Sequence, residues 1–166
     1  MLQPTVRRTW APKGHTPIHH SWARRDRLSV SSALTLSPKR RRLGLPFQLF
    51  DHNITADETE PFVAQLLKHF PRGIILVWDR WMVHRSASRR LRDRFGRRVH
   101  IAWLPAYAPE LNPTEQVWNR SKYTDLANFI PQDVAHLARA LRRSLRHTRS
   151  QETLLRSFFK HAKLTL

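Results

Sequence analysis

The sequence contains no cysteine, only four glycines, and twelve acidic residues against thirty lysines and arginines. Each scarcity excludes something. Without thiols there are no disulfides and no thiolate zinc sites, which fits a reducing compartment. No apolar run approaches the roughly 20 residues a membrane-spanning helix needs, and the opening MLQPTVRRTWAPKG has no apolar signal-peptide core. The expected setting is therefore cytoplasmic and close to the nucleoid, with no membrane partner. Few glycines, 40% hydrophobic and 10% aromatic residues describe a globular chain and not a disordered tail.

What the sequence has in excess is positive charge. The formal net charge is +18 over 166 residues, with an isoelectric point near 11.8. A surface this basic implies a polyanionic partner, because neutralising phosphates releases condensed counterions. Arginine predominates, which favours bidentate phosphate contact. Membrane surfaces and acidic proteins are the rival partners, and nucleic acid is the preferred one.

The length suits one domain spanning residues 1–166. Residues 1–22 are punctuated by Pro4, Pro12, Gly14 and Pro17, and only Thr5–Trp10 has a strand-like pattern. His15, His19 and His20 lie close together, but without acidic or cysteine partners they read as a solvated turn. Residues 27–36 and 45–54 read as the strands of a hairpin. Its tip, Ser37-Pro38-Lys39-Arg40-Arg41-Arg42, either grips a backbone phosphate or is simply a charged turn that resists aggregation. A helix is expected from Thr59 or Glu60 to Phe70, with Pro61 in its first turn. Ile74–Trp78 reads as a buried strand, 85–95 as an amphipathic helix with Arg89 and Arg90 outward, and 100–104 as a second strand. Further helices are expected from Pro113, over 131–147 and over 151–161. Alternation of hairpin, helix, strand, helix, strand and helices defines an α/β chain.

Two acids sit at places suited to chemistry. Asp79 ends the apolar run Ile74–Trp78, so a strand delivers a carboxylate to a sheet edge. Glu115 follows Asn112-Pro113-Thr114 at a helix start. There it is either a ligand or the third residue of a capping box reaching back to Asn112, and spacing alone leaves both readings open. Asp79 alone equally suits a loop cap. Paired carboxylates in a cationic protein point to magnesium, which prefers oxygen ligands and substrate phosphate. Two ions about 3.5–4 Å apart stabilise both oxygens of an in-line phosphoryl displacement.

The segments LPAYAPELNPTEQVW, VWDRWMVHRS and RRTWAPKGHTP together resemble the DDE-superfamily transposases of bacterial insertion sequences related to the mariner elements. The resemblance covers nearly the whole chain. It implies a ribonuclease-H-like fold, a mixed sheet flanked by helices. It also implies metal-dependent DNA strand cleavage and strand transfer with two Mg2+ or Mn2+ ions, in which Asp79 and Glu115 are the second and third acids of the triad. His84 falls on a recurrent histidine near the active site, Asn112 lies beside it, and the family's asparagine after the aspartate is Arg80 here. Arg40, Arg41, Arg42, Arg89 and Arg90 are the expected DNA contacts.

The first acid of the family stands on a central first strand, and no aspartate occupies the matching place in Met1–Val6. Asp26 and Asp51 do not match it either. The resemblance therefore describes a C-terminal catalytic fragment lacking that strand and the N-terminal DNA-binding domains. Its expected partners are double-stranded DNA, both element ends and target, with a homodimer or a second transposase polypeptide supplying the N-terminal part. A non-enzymatic, basic DNA-binding remnant is the alternative.

The charge alone makes a prediction. Affinity for duplex DNA should fall with salt with a log–log slope of roughly −5 or steeper, about one unit per phosphate neutralised. Anisotropy titrations across a salt series measure it, and a flat dependence would remove the electrostatic reading.

Overall fold

The computed structural model describes residues 7–15 and 28–165. The hairpin comes first, as β1 (Ser29–Ser32), β2 (Thr35–Leu36), β3 (Leu43–Gly44) and β4 (Phe47–Phe50). β1 pairs with β4 and β2 with β3, both antiparallel. The two long strands expected over 27–36 and 45–54 are thus a single hairpin with an interrupted ladder. Pro46 has no N–H to give, although its carbonyl still accepts from Ala33 N–H at 3.1 Å. At the tip, Ser37 Oγ accepts from the backbone N–H groups of Arg41 and Arg42, and Arg40 turns the chain at φ 54°.

Helix α1 spans Ala56–His69 and begins earlier than expected. A capping box decides its start. Thr55 Oγ1 accepts from Asp57 N–H at 3.1 Å, while the Glu58 carboxylate accepts from the Thr55 N–H and hydroxyl at 2.7 Å each. Pro61 consequently falls in the second turn and not the first, where it forfeits one intrahelical donor. The Glu58 carboxyl is held down at about 2, from an ordinary 4.5, chiefly by its bond to the Thr55 side chain.

Strand β5 (Ile74–Trp78), helix α2 (Met82–Phe95) and strand β6 (Val99–Trp103) form a right-sized β–α–β unit, with β5 and β6 parallel in register Ile74 to Val99 through Trp78 to Trp103. Helices α1 and α2 cover one face, where Leu76, Val99, Leu91, Ala87, Val63 and Leu67 are buried together. Arg90 pairs with Asp57, and Arg94 with Glu60, tying the two helices at their rims.

The opposite face differs from expectation. Ile75 and Val77 are 72% and 56% exposed, so the run 74–78 is buried on one side only. Among the described residues β5 has no second strand partner, and nothing covers these two side chains. Parallel strands normally have both faces covered.

Helix α3 (Thr114–Arg120) runs into a wider π turn over Ser121–Asp125, followed by α4 (Val134–Ser150) and α5 (Glu152–His161). Asp133 accepts from His136 N–H at 2.5 Å and sets the start of α4 three residues later than expected. A second core gathers Val117, Leu137, Leu141, Leu145, Leu155 and Phe158 against Leu28 and Leu45 of the hairpin. The arginines 139, 142, 143, 146 and 149 lie on the exposed side of α4. Within the strand-like piece Thr5–Trp10, residues 7–10 carry no regular structure, and Thr5 and Val6 lie outside the described residues, as do His19, His20 and Asp26. Arg7 nonetheless docks on the segment after α3: its N–H donates to Asn128 Oδ1 and its guanidinium to the Tyr123 carbonyl, at 2.7 Å each.

The capping box predicts two outcomes. Thr55→Ala should cost about 1 kcal/mol in urea denaturation, the usual loss for a threonine cap. Because the folded-state pKa of Glu58 is depressed, its contribution is present above about 4.5 and is lost as pH falls towards 2. Glu58→Gln should therefore flatten the acid limb of the stability profile, and an unchanged profile would show that the box contributes nothing.

Candidate active site

The two acids arrive from neighbouring structures. β5 ends at Trp78, so Asp79 is the first residue beyond the ladder. Leu104 N–H donates to the Trp78 carbonyl at 2.7 Å, carrying the pairing one residue past β6 and aligning the following turn with Asp79. Asp79 Oδ1 accepts from Trp81 N–H at 3.0 Å and lies 2.7 Å from Nδ1 of His84 in the first turn of α2. The His84 ring stacks on Trp78, with centroids 4.7 Å apart and planes at 16°, and meets Trp81 edge-on at 5.4 Å. His84 thereby fixes the orientation of the carboxylate it touches.

Beyond β6 the chain passes through Pro105–Ala108, a short 3-10 turn at Pro109–Leu111, and Asn112 before α3 begins. Asn112 does cap this start: its Oδ1 accepts from Thr114 N–H at 3.1 Å and its carbonyl from Glu115 N–H at 3.0 Å. Glu115, however, makes no side-chain bond back to the helix start, so the capping-box reading of this residue does not hold. Its carboxylate is half-buried instead. Burial pushes the Glu115 carboxyl up, the Asp79 charge pushes it further, and the Lys122 ammonium opposes both. The two acids therefore sense one another across a shared space. That space is a cavity of about 550 Å³ lined by Asp79, Arg80, Trp81, Tyr107, Asn112 and Glu115 among others.

A family model described as a DDE superfamily endonuclease matches residues 1–137. The chain belongs to the DDE superfamily of endonucleases. The fold of this DDE chain is also similar to that in the crystal structure of the Mos1 strand transfer complex, with a TM-score of 0.53 at 13% identity, covering 98% of this chain and 50% of that one. The ribonuclease-H-like architecture implied by the sequence resemblance agrees with this likeness. The chain spans half the length of the Mos1 chain. Among curated proteins, none matches.

In this member of the DDE superfamily the structure brings together Asp79, His84, Asn112 and Glu115. The expected DNA-contacting arginines lie apart from the cavity lining: Arg40, Arg41 and Arg42 at the hairpin tip, and Arg89 and Arg90 on α2. Arg90 is already engaged with Asp57, whereas Arg89 is exposed. Asp51 sits at the end of the hairpin, where it bonds His52. Among the described residues no group of three or more His, Cys, Asp or Glu is placed to hold a metal. Sequence reasoning missed Trp81 and Tyr107, which also line the cavity. An aromatic beside a helix start or between prolines carries no mark that separates a core position from an exposed one.

A half-buried carboxylate facing another charge destabilises the fold. Because the folded-state pKa of Glu115 is raised, stability falls as pH rises from the ordinary glutamate value of 4.5 through the raised one. Glu115→Gln should therefore raise the melting temperature at neutral pH, and a lowered melting temperature would contradict the shared-charge geometry.

Proposed function

We propose that this chain is a DDE transposase catalytic domain in which Asp79 and Glu115 are two of three carboxylates serving metal-dependent cleavage and transfer of DNA strands. The observation that carries the reading is the convergence of Asp79 and Glu115, from β5 and α3, on one cavity, where burial first and the Asp79 charge second raise the pKa of Glu115. Carboxylates forced together in this way are relieved by positive charge between them. Their oxygen donors fit magnesium or manganese, and their number leaves room for a third acid and for substrate phosphate. Bound there, such ions would neutralise charge on the reacting phosphodiester.

The chain's own residues supply orientation. His84 and Trp81 N–H hold Oδ1 of Asp79 and leave Oδ2 outside those bonds. Asn112 starts α3 so that Glu115 stands on its first turn. Arg40, Arg41, Arg42 and Arg89 are exposed cations suited to tracking phosphates of element ends and target DNA. In this reading the third acid comes on a strand that pairs along the free edge of β5. The strand belongs to an N-terminal part of the transposase, carried in the same chain, in a homodimeric partner or in a second polypeptide. Among the described residues β5 has one ladder partner and Ile75 and Val77 are exposed, which supports that addition.

A second reading has its own support in the net charge of +18. In it the chain binds DNA through charge and cuts nothing. The two separate cleanly in a nicking assay on supercoiled DNA with magnesium, in which the chain is combined with a polypeptide bearing the missing aspartate strand. Nicking should appear with the combination and drop to background with Asp79→Asn or Glu115→Gln. Salt-sensitive binding with no nicking at any protein concentration would establish the binder instead.

A further inference from the structure

The buried residues form two cores with no member in common: the hairpin packs with α3, α4 and α5, while α1 and α2 pack on β5 and β6. The chain crosses from one to the other between β4 and α1, and again between β6 and α3. At the first crossing stands His52. Its Nδ1 lies 2.9 Å from Asp51 Oδ1 and its Nε2 3.2 Å from Glu58 Oε1, while Phe50, the last residue of β4, meets the ring edge-on at 5.5 Å. An ionised carboxylate only accepts, so both bonds exist together only when both ring nitrogens carry protons. The imidazolium then joins the end of the hairpin to the first turn of α1.

We propose that His52 is a pH-sensitive clasp between the two cores: doubly protonated, it fixes the hairpin against α1, and on losing a proton it lets the hairpin swing. Asp51 from the loop and Glu58 from α1 are the titratable groups facing its ring, and Asp57, the other acid of that turn, is engaged with Arg90 of α2. The second oxygen of Glu58 is already taken by the Thr55 N–H and hydroxyl, so the carboxylate stays with α1 when the ring moves. Both carboxyls are held below their ordinary values, Asp51 by its bond to His52 and Glu58 chiefly by its bond to Thr55, and they stay ionised while the histidine titrates. The bond to Asp51 pushes the His52 pKa above the ordinary 6.5; partial loss of hydration opposes it, and Glu58 adds to it. With the folded-state value raised, the clasp is complete below 6.5 and is lost as pH rises through that raised value. An exposed ion pair is weak, so the clasp governs one joint and not the stability of the fold. What it holds is the angle of the hairpin, with its exposed Lys39, Arg40, Arg41 and Arg42, against the unit that carries Asp79. The clasp is a property of the protein alone and does not depend on the strand-cleavage reading.

The test uses the full chain, which has no cysteine, so Lys39→Cys at the hairpin tip and Asp93→Cys on the exposed side of α2 provide the two label positions. Pulsed electron–electron double resonance of the spin-labelled protein should give a narrow distance distribution at about pH 5.5 and a broader one at about pH 8.5, on either side of the histidine range. His52→Gln should give the broad distribution at both. In parallel, the ring-nitrogen NMR shifts of His52 should show both nitrogens protonated at the lower pH and a midpoint above 6.5, which Glu58→Gln moves down towards 6.5. His52 is exposed and belongs to neither core, so its variant keeps the fold. Asp51→Asn, which leaves the ring in place, should shift the midpoint in the same direction as Glu58→Gln. A ring that titrates at or below 6.5, or a midpoint that neither carboxylate variant moves, would overturn the clasp. So would a distribution equally narrow at both pH values, or one that His52→Gln leaves narrow at the lower pH.

Discussion

The parallel pairing of β5 with β6 is the constraint on which the site depends. The ladder runs in register from Ile74 with Val99 to Trp78 with Trp103, and one further bond joins the Trp78 carbonyl to Leu104 N–H. Where that ladder stops, Asp79 leaves one strand and the turn leading to α3 leaves the other. A slip of one residue would reverse which side chains face α1 and α2. It would also move Asp79 away from the cavity it shares with Glu115. The aromatic stack of Trp78 and His84 continues this constraint beyond the backbone, because the last residue of the strand supports the ring that orients the first acid.

The same unit shows what two strands cannot do. α1 and α2 bury one face, while among the described residues no strand pairs with the other edge of β5 and Ile75 and Val77 stay exposed. Small parallel sheets are rarely stable half-covered. In the proposed reading a strand beside β5 would cover this edge and bring the third carboxylate next to Asp79.

Much of this was legible in the sequence, and the reasons are local. The bounds of β5 emerged from an unbroken branched apolar run between Gly73 and Asp79, and those of β6 within one residue for the same reason. Asp79 and Glu115 stood out because each follows a recognisable element boundary. Less legible were features decided by side chains reaching across a few residues. The capping box of Thr55 and Glu58 starts α1 at Ala56, ahead of the expected Thr59 or Glu60, and Asp133 delays α4. The fate of Glu115 was undecidable from spacing, since capping and cavity placement both follow Asn-Pro-Thr-Glu; in the fold its carboxylate is unattached to the helix start and feels the charge of Asp79. Exposure of Ile75, Val77, Trp81 and Tyr107 was equally hidden, because an apolar residue looks the same in sequence whether its neighbours in space are present or not.

The central claim is that Asp79 and Glu115 hold a divalent cation together in the cavity. Ferrous iron substituted for magnesium in the protein–DNA complex, with ascorbate and peroxide, generates radicals that cut polypeptide near the bound ion. The account predicts cuts confined to two places distant in sequence, residues 77–81 and 105–116, that disappear when excess magnesium competes. Cuts elsewhere in the chain, or at only one of the two places, would contradict it.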